Sequence, residues 1–490
     1  MPSFTATHPQ NTTIAYSALI TLGLLTALSS AIAYSNPFEV YGVGARSSAL
    51  GNTGSASARD YSAVHYNPAA LAQARHGIGG GVTYALKDLE VSLSERPAGY
   101  DIPDLGPLSP SVPSEYTLRS RRGQDSTDHT LNLWFGASSD LGTRDFSLGA
   151  LISLPVYHSR EQYSSTFPDE RERLFSNEVS FTLLGGRVEH FVVQLGGAYQ
   201  VAEWLSIGAG ASVMPDAFTQ NAIYMPDASR QDEIELNVGV RASTRWRPQA
   251  GMLFTPQERL AIGVSYRDEQ YMSVQGQNVV QVRGLQEGEG YPFVQEMSLA
   301  FNYSPRQFTY GVSWAGERLG LMSDLVYSLW SDYRGQHLER ASFEDTWSPR
   351  LGLSWALGSG QELRVGARYE PTPVPPQTGR TNYVDNSRGV LSIGSGHELE
   401  VYGKLLKLSW HAQGHLLLGR SDQKSLPSTF EVCAYTTSEV CDEVPDDTLD
   451  PITRQPATSA QGLQTGNPGF PGYSSGGWIT QFGVEVSWSF

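Results

Sequence analysis

Residues 478–490 read WITQFGVEVSWSF. Trp478, Phe482, Val484, Val486, Trp488 and Phe490 fall on one parity with Thr480 as its polar member, while Gln481, Gly483, Glu485, Ser487 and Ser489 fall on the other. A period of two marks a β-strand with one apolar and one polar face. A soluble sandwich has the same alternation as a membrane barrel, so this stretch alone leaves open which solvent the apolar face meets.

Composition narrows the choice. The chain has 490 residues, a formal charge of −16 and 40% hydrophobic residues, too few for a bundle of membrane helices. No dense run of Lys or Arg occurs, which argues against a nucleic-acid partner. The 50 glycines and 24 tyrosines suit strands and tight turns. One uncharged apolar run, residues 14–33, ends in Ala31-Ile32-Ala33, the small-x-small pattern of a signal-peptidase site. Residues 1–33 are therefore expected to be a signal peptide, although no Lys or Arg precedes the apolar run.

The terminal pattern recurs. Leu205-Ser206-Ile207-Gly208-Ala209, Leu260-Ala261-Ile262-Gly263-Val264 and Leu363-Arg364-Val365-Gly366-Ala367 each follow a short turn and repeat the same two faces. Fourteen strand-like segments are expected at about 77–93, 128–138, 145–158, 187–200, 204–215, 233–255, 259–280, 292–314, 319–334, 346–357, 361–371, 386–399, 404–420 and 476–490. Short turns alternate with long polar segments between them, the layout of an outer-membrane β-barrel. In lipid every backbone N–H and C=O needs a partner, so a sheet can span only by closing on itself. The fold expected is all-β: a transmembrane antiparallel barrel over residues 77–490, in the outer membrane of a Gram-negative bacterium.

Residues 34–76 do not read as a strand. They are rich in Gly, Ala and Ser and suit either a periplasmic tail or a plug inside the lumen. Gly42-Val43-Gly44-Ala45-Arg46, Gly51, Gly54, Asp60, Ser62-Ala63 and Asn67-Pro68-Ala69 with Leu71-Ala72 resemble the N-terminal hatch of the FadL/TodX-type outer-membrane transporters of long-chain fatty acids and other hydrophobic compounds. Residues 246–267, 325–333 and 345–376 are similar to that family's barrel hairpins, and the likeness runs from about residue 36 to 490. The resemblance implies fourteen strands, Asn67, Pro68 and Ala69 facing a gap in the wall, Phe38 in an internal ligand pocket, and lateral exit beside an inward-kinked third strand. The terminal aromatic resembles the signal by which barrel-assembly machinery recognises its substrates.

Pro155, on the third strand, lacks the N–H that the ladder needs, so the strand there either bends inward and opens the wall or simply ends at the rim. No catalytic constellation stands out, for His65, His158 and His190 are scattered and no Ser, His and carboxylate fall into a hydrolase pattern. A general porin is the nearer alternative, with Arg267, Arg364 and Arg368 on the lumen parity as candidate charge rings, although pairing with interior carboxylates or with the hatch is the expected role. Cys433 and Cys441 are expected to form a surface-loop disulfide after export, with a metal site as the rival beside the acidic run 442–447. The expectation is a monomer without cofactor that takes up hydrophobic molecules passively, with outer-membrane lipid and lipopolysaccharide as its surroundings.

Overall fold

A computed structural model describes residues 37–94, 121–122, 127–143, 145–158, 179, 181–184, 191–213, 217–227, 230–244, 246–280, 293–335, 340–379, 381–424 and 472–489. The signal segment 1–33, Cys433, Cys441 and the acidic run 442–447 lie outside the described residues.

The strands in chain order are β1 (Gly77–Leu93), β2 (Arg121–Arg122), β3 (Thr127–Ser139), β4 (Phe146–His158), β5 (Val192–Ala202), β6 (Leu205–Val213), β7 (Ala217–Asp227), β8 (Arg230–Thr244), β9 (Arg247–Gln257) and β10 (Leu260–Arg267). They continue as β11 (Gln270–Val280), β12 (Phe293–Ser304), β13 (Arg306–Ala315), β14 (Leu319–Leu329), β15 (Thr346–Gly358), β16 (Gln361–Glu370), β17 (Arg388–Val401), β18 (Lys404–Gln423) and β19 (Gly472–Ser489). Fourteen of them, β1, β3 to β6, β9, β10 and β13 to β19, pair in one antiparallel circuit. The circuit closes where β19 meets β1, from Gly77 opposite Ser489 to Leu93 opposite Tyr473.

The terminal strand behaves as its alternation predicts. Phe482, Val484 and Val486 face outward and are exposed, while Gln481 and Glu485 are buried inside. Five of the exposed tryptophans fall in two bands: Trp204, Trp314 and Trp355 toward the short-turn rim, and Trp246 and Trp347 toward the other. An apolar outer wall between two aromatic girdles is what a bilayer requires.

Three expected segments need correction. Those at 233–255, 259–280 and 292–314 are each cut in two, at Arg245-Trp246, Asp268-Glu269 and Pro305. Their outer halves β8, β11 and β12 leave the wall and join β7, in a stretch expected to be loop, as a separate four-stranded sheet. Local chemistry explains two of the cuts. Pro305 has no N–H for the ladder, and Asp268 turns its carboxylate onto the Glu269 N–H at 2.9 Å in place of a strand partner. Arg247 then ties the three exits together, donating to the carbonyl of Asp268 and, at 2.8 Å, to that of Pro305.

Candidate functional site

Residues 37–74 lie inside the barrel as three short helices, α1 (Pro37–Tyr41), α2 (Ala45–Ala49) and α3 (Ala63–Tyr66), and a 3-10 turn, Pro68–Gln73. Helices of one turn leave most backbone donors and acceptors without internal partners, and the wall supplies them. Asp324 accepts the N–H groups of Gly54 and Ser55 at 2.9 and 3.0 Å. Glu485 accepts from Ala45 N and from the Tyr61 hydroxyl at 2.5 and 2.6 Å. Gln413 donates to the carbonyls of Tyr41 and Ser48, Gln249 to that of Val64, and Ser392 bridges Ala49 and Gly51. None of these wall residues stood out in the sequence. A signal existed for three of them: Gln249, Ser392 and Glu485 each have a glycine two positions away on the same face, at 251, 394 and 483.

Asn67, Pro68 and Ala69 sit at the centre of this seating. Asn67 Oδ1 accepts the Ala69 N–H at 3.1 Å and caps the 3-10 turn, while Nδ2 donates to Ser55 O at 2.8 Å and to Met252 O of the wall at 3.0 Å. All three residues are fully enclosed or nearly so, against β4 to β6 and β9. Phe38 is buried edge-on against His65, 5.6 Å between ring centres. Burial first, and the facing Arg267 second, hold the His65 imidazole well below its usual range, so the ring is neutral. Nδ1–H then donates to Gln194 Oε1 at 3.3 Å and Nε2 accepts from Arg267 at 3.2 Å.

The three lumen arginines do not form a ring. Arg267 meets His65, Arg364 holds Glu362 at 2.7 Å, and Arg368 bonds Glu370 at 3.0 Å and the carbonyl of Val40 at 2.7 Å. Sequence reasoning missed Arg350 and Arg388. Together with Glu370 they line a cavity of about 90 Å³ between α1 and β13 to β17, roofed by Leu183, Leu184 and Trp330. Arg350 is 9% exposed and donates from Nη1 to Asn52 O at 3.1 Å, but its Nε–H has no partner among the described residues. Glu39 and Val40, next to Phe38, form the inner floor.

Pro155 lies two residues beyond the last β4–β5 pair among the described residues. β4 pairs with β3 as far as His158, with an irregularity that leaves Val156 unopposed, but its register with β5 stops at Ser153 opposite Val192. Beneath this point Leu71 and Val64 press on Gly149 of β4. Ser153 Oγ, both amide atoms of Asn132, Thr130 Oγ1 and Gln194 Nε2 are buried on the inner face there with no partner among the described residues.

A closed fourteen-strand wall with a small-residue segment in its lumen and a polar-and-apolar cavity above that segment is the architecture of an outer-membrane transport barrel. The chain belongs to the outer membrane protein transport protein family (OMPP1/FadL/TodX), whose model matches residues 26–403. Members of this family are outer-membrane transport proteins and not enzymes. Among solved structures, a Pseudomonas aeruginosa FadL homologue is similar over 93% of this chain and 97% of its own, at 15% identity and TM-score 0.52. The P. putida toluene transporter TodX is similar over 92% and 99%, at 12% identity and TM-score 0.48. No curated protein matches the chain in sequence.

Proposed function

We propose that this barrel takes up long-chain carboxylates passively, holding the carboxylate end at the small cavity over the lumen segment, which acts as a hatch, and releasing them sideways between β4 and β5. The observation that carries the reading is the coincidence of a filled lumen with an unpaired wall. Segment 37–74 is bonded into the barrel from all sides, and above it, among the described residues, β4 has no β5 partner beyond Ser153. The straight path is occupied, and the lateral one has no ladder among the described residues. An acyl chain favours such a route, because each CH₂ moved out of water is worth about 0.8 kcal/mol.

A lock tests the exit. Leu154 and Phe191 are the next opposed positions beyond the last β4–β5 pair. With Leu154→Cys and Phe191→Cys, oleate uptake by whole cells is expected to fall at least fivefold on oxidation and to recover on reduction. Equal uptake in both states would eliminate lateral release.

Arg350 supplies the head-group preference. Arg350 lines the cavity together with apolar Val326 and Trp330, and its Nε–H, partnerless among the described residues, suits a carboxylate better than a bare hydrocarbon. Arg350→Met is expected to weaken oleate binding about tenfold, since a charge-assisted hydrogen bond contributes about 1.5–3 kcal/mol, and to leave toluene binding unchanged. Parallel losses for both ligands would remove the carboxylate from the proposal.

A further inference from the structure

A second site, unrelated to the uptake cavity, lies at the opposite end of the barrel, where β19 closes on β1. On the outer wall an apolar groove of about 590 Å³ crosses β18, β19, β1, β3 and β4. Its small residues are Gly80, Ala137 and Ala150, and its sides are larger groups such as Phe135, Val486 and Trp488. At the short-turn rim, between the lumen segment and the strand ends, a second cavity of about 420 Å³ is lined by charge. The two share Ile78 and Trp488.

The charges at the rim do not balance. Among the described residues, Arg46, Arg59, Arg75 and Lys407 line the cavity together with Asp60, Glu362 and Glu398, four cations against three carboxylates. Each glutamate is also shared. Glu398 is held by Arg75 at 2.9 Å and by Lys407 at 3.2 Å, and Glu362 by Arg46 at 3.3 Å and by Arg364 at 2.7 Å. Arg59 faces no carboxylate among the described residues, for its guanidinium donates to the carbonyls of Ala56 and Ala58 at 3.0 and 2.8 Å. A cationic excess inside a partly desolvated cavity draws an anion, and an apolar groove beginning at the same two residues takes a chain.

We propose that this seam binds an anionic phospholipid of the periplasmic leaflet, with its phosphate at Arg75, Lys407 and Arg59 and one acyl chain in the groove over Gly80, Ala137 and Ala150. The short-turn rim of such barrels faces the periplasm, so the cavity stands at head-group depth and the groove at acyl depth. Charge chooses the head group and the groove chooses a chained molecule over free phosphate. The site does not depend on the carboxylate reading of the uptake cavity, from which the lumen segment separates it.

Native mass spectrometry of the full chain, delipidated in detergent and titrated with phosphatidylglycerol, phosphatidylcholine or oleate, tests the assignment. One tightly held phosphatidylglycerol is expected, at least tenfold preferred over phosphatidylcholine and weakened by salt. Arg75→Gln with Lys407→Gln is expected to cost at least tenfold for phosphatidylglycerol and distinctly less for phosphatidylcholine, whose choline cation already offsets its phosphate. Ala137→Phe, which fills the groove from its lipid-facing side, is expected to weaken both lipids. Heat-modifiable gel mobility reports whether each variant barrel is closed; if a variant does not fold, the head-group preference of the wild type decides alone. Equal retention of the two phospholipids by the wild type overturns the proposal, as does a variant-sensitive preference for oleate over phosphatidylglycerol.

Discussion

Gly208→Val is expected to raise the single-channel conductance of the barrel at least tenfold in planar bilayers. A Cβ on Gly208 would fall inside contact distance of Ala69 N and Pro68 C, both backbone atoms. A side-chain obstacle could rotate away, but a peptide anchored by the Asn67 cap cannot. Asn67 would lose its bond to Met252 O, and Pro68 and Ala69 would move off the wall. The barrel itself should tolerate the change, because valine suits a strand better than glycine does. Heat-modifiable mobility should therefore stay normal while ions pass a displaced hatch. An unaltered conductance in a closed barrel would mean that the Asn67-Pro68-Ala69 turn does not seal the lumen.

Arg247→Met is expected to lower the stability of the folded barrel by about 3–5 kcal/mol, the usual consequence of removing one member of a buried ion pair. Arg247 is 1% exposed and pairs with Glu39 of α1 while donating to the carbonyls of Asp268 and Pro305. Its removal takes a charge from the lumen segment and a donor from two strand exits at once. The urea midpoint followed by tryptophan emission should drop, and protease should nick the outer sheet before the wall. Glu39→Gln in the same chain should restore part of the loss by removing the opposing charge. A midpoint within error of the wild type would show that the three exits hold without their common donor.

The wall was legible in the sequence because its signal is local. Each strand carries its own alternation, as residues 478–490 do, and short turns mark one rim. Asn67-Pro68-Ala69 was singled out by its resemblance to the family's hatch and by the turn that an Asn before Pro favours. What could not be read is set by distance along the chain. The alternation of residues 233–255 continues across position 245, so nothing local says that its first half leaves the barrel. Arg247 finds its acceptors 21 and 58 residues away. Arg350 and Arg388 become a pair of cavity residues only because barrel curvature brings β15 and β17 to one side of α1. The lumen polar residues have an ordinary look in sequence, since an inward Gln or Ser is what any strand of this kind carries.

The seam has a consequence for the order in which the molecule is made. Gly77 pairs with Ser489, a closure across nearly the whole chain, and non-local pairing of this span is slow because the intervening loop must be brought together first. Glu485, on that last strand, is also the acceptor for Ala45 and Tyr61 of the N-terminal lumen segment. The Ala45 N–H and the Tyr61 hydroxyl must therefore wait for their acceptor until β19 is in place. When β19 zips against β1 it encloses that segment and completes its hydrogen bonds in the same event, so a closed but empty barrel is not a stage through which this chain needs to pass.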